Sequence, residues 1–139
     1  MVHALEEIHR TLVPQGILLD LRPLAASWAV EVTSGAFEHQ VGRLTDDPQA
    51  PVYDQAANKS LQKAARRRWF IRESEASFPF FYYWDTPEEM ENYIREEWSD
   101  FIQQDEALFS ATQDAWENAS ADRRLRVRVK MHLARWCKR

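Results

Sequence analysis

The chain has 139 residues, a formal net charge of −4, and 45% hydrophobic and 12% aromatic residues. That length suits a single domain over residues 1–139 with a real core, and that composition excludes a disordered chain. Glu6 and Glu7 interrupt the only early apolar stretch, so no signal peptide is expected, and no apolar run approaches the length of a bilayer span.

Residues 4–23 organise the rest. Leu5, Ile8 and Leu12 recur at helical spacing while Glu6, Glu7 and Arg10 face outward, which predicts an amphipathic helix. Pro14 and Gly16 stop it. The run Ile17-Leu18-Leu19-Asp20-Leu21 is apolar on both parities, the pattern of a strand covered on both faces, so an α/β unit is expected here.

Residues 5–20, LEEIHRTLVPQGILLD, resemble the helix-turn-strand segment that follows the cofactor site in class I S-adenosylmethionine-dependent methyltransferases. The family commonly writes it E-x-x-R-V-L-K-P-G-G before an apolar strand. Arg10, Pro14, Gly16 and Asp20 match, and in the family these are mainly structural. Gln15 stands where the family usually has Gly. The resemblance implies a partial Rossmann-like sheet. The family's glycine-rich turn and ribose-holding acid both precede this segment, and the three glycines, Gly16, Gly35 and Gly42, cannot build such a cradle. The expected fold is therefore α/β or α+β: a truncated methyltransferase-like sheet with a β-hairpin, mixed or antiparallel strands and three to four helices.

Further along, Trp28, Val30 and Val32 alternate with Ala29, Glu31 and Thr33, a half-buried strand. Ser34-Gly35 turns it, and Phe37, His39 and Val41 continue the alternation, so a hairpin is expected. Residues 45–51 read as a loop, and residues 52–68 as a helix ending in Arg66-Arg67-Arg68. Cations suit the carbonyl end of a helix, so a solvated helix end is the simpler reading of that triplet and an anion site the sharper one.

A strand opens at Trp69 and leads into the densest aromatic block, Phe78 to Trp84 with Pro79 inside it. If extended, it sends Phe80, Tyr82 and Trp84 to one face and Phe81 and Tyr83 to the other, with Pro79 demanding a bulge or an edge position. Thr86-Pro87-Glu88-Glu89 reads as a capping box, starting a helix that buries Met90, Tyr93, Ile94, Trp98 and Phe101. A second helix from Asp105 would bury Leu108, Ala111, Ala115, Trp116 and Ala119. Leu125, Val127, Val129, Met131 and Leu133 then alternate with basic residues in a last strand. The family's domain also ends in a strand antiparallel to the rest.

Residues 121–139 carry eight basic residues against Asp122, a net +7, which leaves −11 on residues 1–120. Such a strip can meet an anion or be matched internally or across a subunit interface. The acidic whole and the lack of any nucleic-acid motif argue against a nucleic-acid partner.

Three functions compete on these residues. The first is a methyltransferase-like domain that lacks its cofactor half, is non-catalytic alone and acts as a binding or assembly module. The second is a methyltransferase completed by a companion chain, which would supply S-adenosylmethionine; the isolated chain is expected to need no cofactor. The third is an unrelated α+β small-molecule-binding domain. Catalytic residues and metal ligands are not predicted: His9, His39 and His132 are candidate bases without a paired nucleophile or metal cluster. A ligand site is expected where the aromatic block meets the hairpin, with Tyr82, Tyr83 and Trp84 as walls and Arg22 as the nearest charge. Loss of the neighbouring strand would open the edge of the Ile17 strand, so a homo-oligomer, or the hairpin of residues 28–44 folding over that edge, is expected. The lone Cys137 suits a cytoplasmic location.

Overall fold

The computed structural model describes residues 2–139, which form four helices and five strands. In chain order these are α1 (Val2–Thr11), β1 (Ile17–Pro23), β2 (Ala29–Ser34), β3 (Phe37–Arg43), α2 (Ala50–Arg66), β4 (Phe70–Trp84), α3 (Pro87–Glu97), α4 (Glu106–Glu117) and β5 (Arg124–Lys138). The class is α+β, with an antiparallel sheet in the order β1-β5-β2-β3 and β4 also paired to β5. The described chain divides into two compact units: residues 2–24, 51–78 and 131–139 form the first, and residues 25–50 and 79–130 the second.

In the first unit, α1 buries Leu5 and packs Ile8 and Leu12 against a cluster of Leu61, Ala64, Phe70, Ala134 and Trp136. The helix ends in a turn closed by the Gly16 amide donating to the Val13 carbonyl, 2.9 Å, with Pro14 second and Gln15 third at φ 63°. Proline followed by a positive φ is the type II pattern, which a glycine at the third place adopts freely and a glutamine at some cost. β1 pairs with β5 antiparallel, from Ile17 opposite Cys137 to Pro23 opposite Met131.

β1 departs from the strand expected to be covered on both faces. Leu18 joins the core, but Ile17, Leu19 and Leu21 are 38%, 60% and 57% exposed. The strand ends the sheet order, so it has one strand neighbour and one apolar face in the open. β2 of the hairpin pairs with β5, from Ala29 opposite Arg128 to Thr33 opposite Arg124.

In the second unit, β2 and β3 make the expected hairpin, turning through Gly35 at φ 57°. β2 is buried on both parities rather than one, Glu31 included, and Phe37 and His39 on β3 are exposed. Thr86 caps α3: its hydroxyl accepts from the Glu89 amide at 3.2 Å, while the Glu89 carboxylate accepts from the Asp85 amide at 3.2 Å. Met90, Ile94 and Trp98 are buried as the periodicity required. α4 is rotated from its expected face and buries Leu108, Phe109 and Thr112, with Ala111 exposed. Thr112 tolerates burial because its hydroxyl donates to the Leu108 carbonyl at 2.8 Å.

β5 alternates for longer than its apolar pattern suggested, and the buried parity changes along it. Leu125, Val127 and Val129 are buried in the second unit; Ala134 and Trp136 are buried in the first, where Met131 and Leu133 are only half-buried. Each unit has its own core, so one strand serves two sets of partners. β4 pairs with β5 alone, which is how Pro79 fits inside a strand.

Candidate functional site

Strand parity builds a polar cavity in the first unit. Asp20 and Arg22 lie two residues apart on β1 and so project from the same face, and His132 on β5 stands directly opposite Arg22. Helix α2 supplies Asp54 and Asn58, one turn apart. Arg22 Nε donates to Asp20 Oδ1 at 3.1 Å, and its Nη1 donates to the Asp54 carbonyl at 3.2 Å. Its Nη2 donates to Asn58 Oδ1. The guanidinium is thereby fixed between strand and helix.

Asp20 Oδ2 is buried and makes no hydrogen bond, but it lies 3.5 Å from His132 Nε2. A proton on Nε2 would face the carboxylate and leave Nδ1 as an acceptor. Both residues line a cavity of about 300 Å³ with Arg22, Asn58, Arg72 and Trp136. The indole Nε1 of Trp136 is a second buried atom without a hydrogen-bond partner. The lining includes no serine, threonine or cysteine, so the cavity offers hydrogen bonds and charge without a nucleophile.

The predicted site residues fall into different units. Arg22 belongs to the first, in the cluster just described. Tyr82, Tyr83 and Trp84 belong to the second. There Phe80, Tyr82 and Trp84 share one face of β4, with ring centroids 5.2 and 6.0 Å apart along the row. Tyr82 and Trp84 also meet Tyr93 and Trp98 on or beside α3, at 5.1 to 6.3 Å. Trp98 in turn meets Trp28 at 5.1 Å. These rings are held by one another, as a core is. Tyr83 is exposed on the other face beside Phe81.

Phe81 carries the guanidinium of Arg126 at 4.4 Å from its ring centre. Arg126 Nε donates to Glu31 at 2.7 Å and Nη2 to Glu38 at 2.6 Å, while Arg128 reaches the other Glu31 oxygen at 2.9 Å. Burial works against the Arg126 charge, but the hydrogen bonds to Glu31, Glu38 and Tyr83 outweigh it and raise the pKa further above the ordinary arginine value. Much of the basic strip is thus matched internally.

Of the three candidate bases, His132 meets Asp20. His9 stacks on Trp69 at 5.8 Å with Phe70 edge-on at 5.6 Å, and His39 stacks on Phe37 at 6.5 Å. Among the described residues no group of three or more His, Cys, Asp or Glu could hold a metal ion. The glycines sit in close-packed or turning backbone. A side chain at Gly16 would lie 2.8 Å from the Val13 carbonyl and one at Gly42 2.6 Å from Leu108, while Gly35 turns the hairpin. Asp54, Asn58, Arg72 and Trp136 carry no motif in sequence. Only the Asp20-x-Arg22 spacing signalled their cavity, through strand parity.

No protein-family model, curated protein or solved structure matches this chain.

Proposed function

We propose that this chain is a methyltransferase-like domain without the half that holds S-adenosylmethionine, and that it acts as an assembly module through β1. The observation that carries this reading is the free side of β1: a terminal strand exposing Ile17, Leu19 and Leu21 at 38%, 60% and 57%. An apolar edge strand invites pairing with another strand, and a second copy of β1 supplies a self-complementary one.

One further feature supports the family part of the reading. Gln15 holds a left-handed backbone at the position where the family has glycine. The isolated chain is read as non-catalytic and free of cofactor; a companion chain that completed the site would bring S-adenosylmethionine with it. A cytoplasmic location goes with this reading. No helix is long and apolar enough to cross a membrane.

Light scattering on the purified chain is expected to show a dimer or higher oligomer, and Leu19→Lys with Leu21→Lys to reduce it to a folded monomer. A strictly monomeric parent chain overturns the assembly role. A calorimetric titration with S-adenosylmethionine is expected to show no saturable binding, and micromolar binding overturns the missing half. The Asp20, Arg22 and His132 cavity favours a second reading, an α+β domain that binds a small polar ligand.

A further inference from the structure

The turn that leaves α2 gathers positive charge that its surroundings neutralise only in part. The helix closes with the Trp69 amide donating to the Ala64 carbonyl at 3.1 Å and the Arg68 amide to the Ala65 carbonyl at 2.9 Å. This is the Schellman arrangement, in which the residue after the cap is left-handed and is usually glycine. Here it is Arg68, at φ 60°. An arginine accepts that backbone at a cost a glycine would avoid.

Arg66 and Arg68 line a cavity of about 630 Å³ together with Arg72 of β4 and Arg139. Phe70 and Ile71 add apolar lining, and no acidic side chain lines the cavity. Arg66, Arg68 and Arg139 make no ion pair with another described residue, whereas Arg72 is paired with Glu75, and Arg22, Arg126 and Arg135 are each matched to a carboxylate. Arg67, the middle of the triplet, is spent on the Trp69 ring at 4.9 Å. Helix-end stabilisation therefore accounts for part of the triplet and leaves the groups that face the cavity.

We propose that this cavity binds the phosphate groups of an organic phosphate. Three unpaired guanidinium groups from two parts of the chain, beside an Arg72 already paired with Glu75, outweigh the roughly half negative charge at the helix C-terminus. A single carboxylate would leave most of that charge uncompensated. A phosphate chain carries several charges and presents oxygens that guanidinium forks grip in pairs. The volume exceeds one phosphate and leaves room for an organic body against Ile71, which is 42% exposed. The site is independent of the assembly role of β1.

Calorimetric titration of the full chain at low salt with pyrophosphate and with magnesium-free ATP tests this, with a single-stranded oligonucleotide as a separate arm. Saturable binding that weakens with added salt is expected. Arg68→Gly relieves the backbone, so it should hold or raise the melting temperature while weakening binding about tenfold, and Arg66→Gln should weaken it similarly. Binding of ATP assigns the phosphate to a free nucleotide-like ligand; binding of the oligonucleotide alone, lost in the same variants, assigns it to a polymer backbone. The proposal is overturned if the folded chain binds none of these probes, or if Arg68→Gly and Arg66→Gln leave binding unchanged.

Discussion

Replacing Glu31 by alanine should be among the most damaging single changes to the second unit. Glu31 is only 3% exposed and sits on β2 opposite Arg126, next to a register shift between Val30 and Glu31. Its carboxylate takes Arg126 at 2.7 Å and Arg128 at 2.9 Å. Removing one member of a buried pair costs about 3–5 kcal/mol, because the remaining charge stays desolvated. Arg126 would keep Glu38, so the lower end, about 3 kcal/mol, applies to that contact. Arg128 is partly exposed and adds at most about 1 kcal/mol. With an unfolding entropy of roughly 2.1 cal/mol/K per residue, a loss of about 3 kcal/mol lowers the melting temperature by about 10 °C. Urea denaturation followed by tryptophan fluorescence and by circular dichroism measures it. Glu31→Leu combined with Arg126→Met should recover most of the loss, since an apolar pair avoids the desolvation that the ion pair must overcome. A Glu31→Ala variant within about 0.5 kcal/mol of the parent would refute the argument, as that is the effect of an ordinary surface change.

Two other changes probe the same unit. At Gly42→Ala the new methyl would lie 2.6 Å from Leu108 Cδ1, so a loss of about 1–3 kcal/mol is expected in chemical denaturation. The penalty should shrink in a Leu108→Ala background, and an unchanged penalty there would separate the two residues. Thr86→Ala removes the acceptor for the Glu89 amide and should cost about 1 kcal/mol, read as a lower melting temperature with α3 otherwise retained. Thr86→Ser should restore it.

Sequence alone located the elements whose signals are local. The capping box at Thr86, the turn at Pro14, the hairpin at Gly35 and the alternation of β5 from Leu125 to Val129 each depend on neighbours a few residues away, and each appears where those residues placed it. The face split of Phe80, Tyr82 and Trp84 from Phe81 and Tyr83 follows from the period of a strand alone. What each face meets does not. Tyr82 and Trp84 close on Tyr93 and Trp98, Asp20 finds His132 across more than a hundred residues, and Ile17, Leu19 and Leu21 look like core yet are left in the open. An apolar pattern states which residues would gain by leaving water, while strand pairing decides which of them have a partner to do it against. Only the tertiary structure made β1 a terminal strand and brought four arginines around one cavity.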